Sequence, residues 1–186
     1  MHFYDVPCFD SEFIPNSIDI NTLLISNKKK TFNKLKNPLD LFHITLFDTW
    51  VENDDRKPTN YNLVLEPSQG KLNIIPIDNA YIFSTISYKD LNPKYVAVST
   101  NDHLLVSDLG YLIKKNTTID DNFIISEREY FYLYIKQCER YFDKVIIQIA
   151  DIYTLDSALV TNLKAFLFSK DRNKKVFEEY IYRLRQ

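Results

Sequence analysis

Apolar positions change their period along this chain, and the changes mark its elements. Leu39, Phe42, Leu46, Phe47, Trp50 and Val51 recur at helical spacing. Asn37-Pro38 stands before them as an N-cap residue followed by proline in the first turn. The pattern predicts a helix over 38–52, buried on one side and ending near Glu52. The polar run NDDRKPTN (53–60) follows directly. YNLVLE (61–66) and KLNIIPI (71–77) then alternate or run apolar around PSQG, which predicts a β-hairpin with Asp78 at the end of its second strand. Upstream, Pro7 and Pro15 break any helix in residues 1–27. Downstream, residues 84–125 predict a loop with short elements. Ser126-x-x-Glu129 has the form of a capping box, and the apolar pattern from Tyr130 to Ile149 predicts a long helix. Two more helices are expected over 156–168 and 172–185, with Asp156 and Asp171 as start signals. The expected fold is α+β, mostly helical, built as one domain around the hairpin.

Composition narrows the picture. The chain has 186 residues, 45 % of them apolar, which suits one domain with a real core. Aromatics reach 15 %, so ring packing must fill much of that core. A net charge of −2 makes no electrostatic case for nucleic-acid binding. Cys8 and Cys138 lie far apart, which fits a reducing compartment and excludes a cysteine-based zinc site. The first residues lack the pattern of a signal peptide, and no apolar run reaches the length of a membrane span. The expectation is a cytoplasmic protein. Only two glycines occur, Gly70 and Gly110, so neither a Walker loop nor a dinucleotide fingerprint is possible. KKKTFNKLK (28–36) carries five lysines in nine positions. It reads as a solvated face, with contact to an acidic partner or a phosphate as the sharper alternative.

The polar loop carries the candidate chemistry. A hairpin that starts at Asn60 and returns at Asp78 brings an amide oxygen and a carboxylate together. Such a hard, oxygen-rich pair suits Mg2+, whose remaining positions go to water and phosphate oxygens. Asp55 lies just upstream, where it would orient a hydroxyl nucleophile or accept its proton. Base Asp, then Asn, then metal Asp is the order of phosphoryl transfer in protein kinases. The competing reading is local, since Asp and Asn favour turns by bonding their own backbone. His2, His43 and His103 do not cluster and read as surface or packed histidines.

FDTWVENDDRKPTNYNLVL followed by KLNIIPIDNAYIF resembles the core signature of HipA-like kinases, in the branch with F-D-x-W-x-x-N-x-D-R-x-x-x-N and a later I-D-H-x-x-x-F. More distantly, D-R-x-x-x-N is similar to the lipid-kinase group. The matching positions are Phe47, Asp48, Trp50, Asn53, Asp55, Arg56, Asn60, Ile77, Asp78 and Phe83. The resemblance implies a kinase-like C-lobe in which Asp55 is the catalytic aspartate and Asn60 and Asp78 hold Mg2+ for ATP. Two positions depart from it: Lys57 and Asn79 stand where the family has histidine. PCFDSEFIP resembles the family's hinge, which implies backbone near Glu12 or Phe13 against the adenine. Only about fifty residues precede Asp55, and no N-lobe is recognisable among them.

Three functions follow as expectations. The first is a Ser/Thr protein kinase lobe completed by a small N-lobe-like partner protein, acting on a protein substrate in a toxin–antitoxin or defence-type system. The second is a non-catalytic, kinase-like interaction protein. The third is a metal-dependent phosphoesterase or nuclease using Asp54, Asp55 and Asp78, although two-metal hydrolysis usually needs more ligands.

Overall fold

A computed structural model describes residues 14–25, 32–79, 81–83, 90–96, 103–152 and 154–186. Glu12, Phe13 and the lysines at 28–30 lie outside the described residues, as does part of the stretch 84–125. The fold is α+β, with a small antiparallel sheet and a larger set of helices. In chain order the elements are β1 (Ile18–Asp19), α1 (Ile20–Ile25), α2 (Asp40–Val51), β2 (Leu63–Ser68), β3 (Lys71–Pro76), a 3-10 turn (Leu104–Val106), α3 (Asp108–Lys115), α4 (Asp121–Ala150), α5 (Ser157–Phe168) and α6 (Lys170–Arg185). Among the described residues, no helix is long and apolar enough to cross a membrane.

The hairpin forms where expected, but its turn is tighter. Pro67 and Ser68 stay in β2, and the loop is Gln69-Gly70 alone, with φ of 50° and 76°. Both residues are left-handed, which matches the twist of a two-residue hairpin. Leu63 and Leu65 on β2 and Leu72 and Ile74 on β3 face the core together, as the period of two requires. β1 pairs along the outer edge of β2. Although Pro7 and Pro15 are expected to break any helix in residues 1–27, α1 forms at Ile20–Ile25, far enough beyond Pro15 that the proline ring meets none of its carbonyls. Against β3, Leu35 forms a parallel bridge with Leu72, through Lys36 N–H to Leu72 O and Leu72 N–H to Lys34 O, both 2.9 Å. Part of the lysine-rich segment is therefore structural, with Leu35 buried between exposed Lys34 and Lys36.

Helix α2 is more deeply placed than its pattern predicts. Expected to be buried on one side, it is covered almost all round, with Thr45, Asp48 and Thr49 inside along with the apolar face. The threonine hydroxyls donate to the carbonyls four residues back, Leu41 O at 2.9 Å and Thr45 O at 2.8 Å. That local bond lets a polar residue enter the core without an unpaired group. Asn37 does act before the helix, accepting from Leu39 N–H at 3.2 Å, though regular helix begins only at Asp40.

The long helix α4 starts earlier than the Ser126–Glu129 pattern indicates. Asp120 is the N-cap, accepting from Phe123 N–H at 2.8 Å, and Ser126 and Glu129 lie inside the helix. A capping box works only where the backbone enters from extended geometry, and Asp120 at φ −109° supplies that geometry first. Asp156 caps α5 as expected. For α6 the cap is Ser169, which accepts from Arg172 N–H, while Asp171 sits in the first turn. Ser169 alone separates α5 from α6.

Buried ion pairs and hydrogen bonds tie the helices together. Arg172 donates to Trp50 O (2.8 Å) and to Glu52 Oε1 (3.0 Å), with its guanidinium 3.5 Å from the Phe166 ring centre. Glu127 of α4 lies 3.2 Å from His43 Nε2 and accepts from Tyr180 O–H at 2.6 Å, so one carboxylate joins α2, α4 and α6. His43 also stacks on Tyr130, and buried His103 meets Gln186, so both are packed histidines. Gly110 lets α3 approach the turn before it: a Cβ there would lie 2.6 Å from Leu104 O, Leu105 Cα and Leu105 O.

Replacing Gly110 with alanine sets that Cβ against backbone that cannot step aside. The variant is expected to lose about 1–3 kcal/mol in urea unfolding despite alanine's better helix propensity. Gly70→Ala meets open space and carries only left-handed backbone strain, about 1 kcal/mol.

Candidate functional site

The loop after α2 begins with a reversal. Glu52 adopts φ 52°, and its N–H and that of Asn53 both return to Asp48 O. Asn53 then works twice. Its Nδ2 donates to Asp48 Oδ1 at 3.0 Å, and its Oδ1 accepts from Asp55 N–H at 3.3 Å. This side-chain turn aims residues 54 and 55 away from the helix end and sends the Arg56 side chain inward. Lys57 and Asn60 close a four-residue turn through paired backbone bonds of 3.0 and 2.9 Å.

Arg56 holds the site together. Its guanidinium is buried and reaches Tyr61 O (3.2 Å), Asn62 O, Ile77 O (3.3 Å) and Asn79 Oδ1 (2.7 Å). On its other side, Nε lies 3.0 Å from Asp48 Oδ2. That last contact is a close ion pair without hydrogen-bond alignment. Burial therefore outweighs the attraction of Arg56 and pushes the Asp48 carboxyl up to about 6, with Arg56 and the Asn53 amide pulling the other way.

Of the residues expected to carry chemistry, Asp55 and Asn60 are in direct contact. Asn60 Nδ2 donates to Asp55 Oδ2 at 3.2 Å, which leaves Oδ1 as the oxygen that amide has to offer a cation. Asn62, which pattern reading did not single out, also donates to Asp55 Oδ2, at 2.9 Å. Its own backbone is left-handed at φ 45°, a geometry asparagine tolerates better than most residues. The N-x-N spacing of 60 and 62 offered little signal, since both lie before β2 begins at Leu63 and Asn62 is left-handed rather than extended.

Asp78 is reached through the hairpin. Ile77 N–H donates to Asn62 O at 2.9 Å, so the end of β3 is registered on the same residue that clamps Asp55. Arg56 bonds the groups on both sides of residue 78, Ile77 O and Asn79 Oδ1. Asp78 itself is exposed, with φ 52°. Beyond it the chain returns to α2: Phe83 N–H donates to Val51 O at 2.7 Å, and the Phe83 ring packs edge-on against Phe166. Both departures from the kinase-like signature have a place in this arrangement, Lys57 in the turn with Asn60 and Asn79 as an acceptor for Arg56.

The donor set tests a metal directly. Among the described residues, no three His, Cys, Asp or Glu side chains converge as a metal group. An Asn60 oxygen and the Asp78 carboxylate are too few for a self-sufficient protein cage. A cation held by that pair would have to draw its remaining ligands from water or from a phosphate, as Mg2+ does. Comparison of the chain with family models, with curated proteins and with solved structures finds no match.

The Asp48 carboxyl gives a pH signature to this support. The folded state holds its proton up to about pH 6, while the unfolded state releases it near 3.8. Its contribution to stability is thus fully present below the unfolded value and declines as pH rises toward about 6. Between pH 4 and pH 7, urea unfolding should show the difference between wild type and Asp48→Asn moving in the variant's favour by on the order of 2 kcal/mol.

Proposed function

We propose that this protein is the catalytic lobe of a HipA-like Ser/Thr kinase, acting in the cytoplasm on a protein hydroxyl with Mg2+ and ATP. The observation that carries the reading is the Asp55 carboxylate, fixed by the amides of Asn60 and Asn62 on a hairpin whose far end delivers Asp78. A carboxylate held by two neutral donors keeps its orientation and remains an acceptor. In phosphoryl transfer, Asp55 takes the proton of the attacking hydroxyl, and the phosphorus–oxygen bond to the nucleotide breaks as the new one forms. Asn60 and Asp78 would hold magnesium, whose charge neutralises the phosphate oxygens. Lys57, paired through its backbone with Asn60, adds a positive side chain beside the same turn. Arg56 touches no reacting group in this scheme. It is a positioning residue that keeps the loop and both hairpin ends in register.

The lobe acts with a small partner that roofs the nucleotide. Both glycines of the chain serve the fold, one in the hairpin turn and one under α3, and neither forms a phosphate loop. The kind of partner that fits is an N-lobe-like β-rich protein with a phosphate-holding lysine, as in a two-gene toxin–antitoxin or defence arrangement.

Calorimetry with ATP, with and without Mg2+, tests the site, and labelled phosphate transfer tests the chemistry, both with the N-lobe-like partner protein present. Magnesium-dependent nucleotide binding is expected in wild type and is lost in Asp78→Asn. Asp55→Ala is expected to keep binding while transfer falls by about 10²–10⁴-fold. Wild-type protein that binds no nucleotide in the presence of magnesium overturns the reading. Binding without transfer, unaffected by Asp55→Ala, assigns the protein to non-catalytic interaction instead.

A further inference from the structure

Helix α4 outruns the body that covers it. Phe131 and Ile135 are buried, but from Tyr132 onward most of its apolar side chains face solvent. Tyr134 is 51 % exposed, Tyr141 51 %, Val145 47 % and Ile152 59 %. These four share one face, while Leu133 (55 %) and Ile147 (63 %) are exposed on another. Tyr134, Cys138, Tyr141, Val145, Gln148 and Ile152 follow one another at steps of four, three, four, three and four. The helical turn continues to the last of them through Asp151 N–H to Ile147 O and Ile152 N–H to Ile149 O. Over the six positions the step averages 3.6 residues, so they form one continuous face of the helix, and its alternation of fours and threes is a pattern by which two helices pack side by side along a seam.

The two flanks of the seam differ. On the inner flank, Phe142 packs edge-on against Phe168 of α5, with ring centres 5.4 Å apart. Between this part of α4 and the body lies an open apolar groove of about 510 Å³, with Phe47 and Phe83 on its far wall. The outer flank is polar and carries Lys144 and Asp151, one turn-pair apart, exposed and without ion pairs among the described residues. Asp143 on the same helix is already paired with Lys164.

We propose that this face binds a second copy of the chain, with the two α4 helices antiparallel. One cation and one anion seven residues apart on the same flank complement each other only when the direction is reversed. Lys144 of each copy then meets Asp151 of the other, and the pair forms twice about the two-fold axis. The seam falls into layers of Tyr141 against Ile152 and Val145 against Gln148. Parallel copies would instead set Lys144 beside the apolar inner flank at Ile149. The second helix enters the groove at its Val145 end, a groove that Ile82 and Phe83 also line.

Light scattering across a concentration series reads the assembly, and circular dichroism checks each variant's fold. Wild type is expected at twice the mass of the chain. Val145→Glu, at an exposed position, is expected to become monomeric with its helix signal unchanged. Lys144→Glu turns both cross-pairs repulsive and should weaken the dimer about tenfold, and adding Asp151→Lys should restore it. For orientation, Val145→Cys with Gln148→Cys in a Cys8→Ser, Cys138→Ser background should give a covalent dimer under mild oxidation. A wild-type monomer at every concentration overturns the proposal, as does a dimer that survives Val145→Glu. Covalent dimer from Tyr141→Cys alone overturns the antiparallel register, because residues that far from the two-fold axis, about 16 Å from their own copies along the helix, meet their equivalents only in parallel helices.

Discussion

The buried guanidinium of Arg56 is the constraint on which the candidate site rests. It reaches four acceptors and one ion-pair partner from four places in the chain: the carbonyls of Tyr61 and Asn62 just before β2, Ile77 O just after β3, Asn79 Oδ1 beyond it, and the Asp48 carboxylate on α2. Taking a cation out of water is costly unless each donor finds a partner. Here the partners are mostly backbone carbonyls at strand ends, which need donors of their own once buried. One side chain answers both needs. Lysine could not, because a point charge with three rotatable donors does not span a planar fork of acceptors.

A second arginine completes the arrangement around α2. Asp48 and Glu52 lie four residues apart in the last turn of that helix, where two like charges repel and the helix dipole opposes both. The fold accepts them because each has its own buried arginine, Arg56 from the loop and Arg172 from α6. Arg172 also takes up Trp50 O, one of the carbonyls a helix leaves unpaired at its end. The end of α2 is thus fixed from two sides, and the loop bearing Asp55 departs from a rigid point. Rigidity of this kind is what a positioned carboxylate needs, since misplacement by about 1 Å costs heavily in any transfer reaction.

The contrast with α4 is instructive. Near its start the helix is anchored by Glu127, shared between His43 and Tyr180, and by Phe131 and Ile135. Farther along it presents apolar surface that the other described residues do not cover. A helix apolar on most sides is stable when something packs on it, so the same element that closes the core also offers a surface for assembly.

Much of this was written in the local sequence. The helix–loop–hairpin order, the end of α2 at Glu52 and the Asp156 cap of α5 follow from period, turn residues and side-chain oxygens, all of which act within a few residues. The D-x4-N spacing likewise put Asp55 and Asn60 within reach of each other, because a short turn joins them. What the sequence could not settle was decided by contacts far apart along the chain. The all-round burial of α2 depends on α6 and the hairpin arriving from elsewhere. The cap of α4 went to Asp120 because the chain enters from extended backbone there. Asn62 gained its role from strand register, and Arg56 showed its reach only once Ile77 and Asn79 had been brought back by β3. Local pattern specifies which residues can form an element, but the partners of a buried charge are set by three-dimensional packing, since the cost of desolvation is met only by groups that the whole fold brings together.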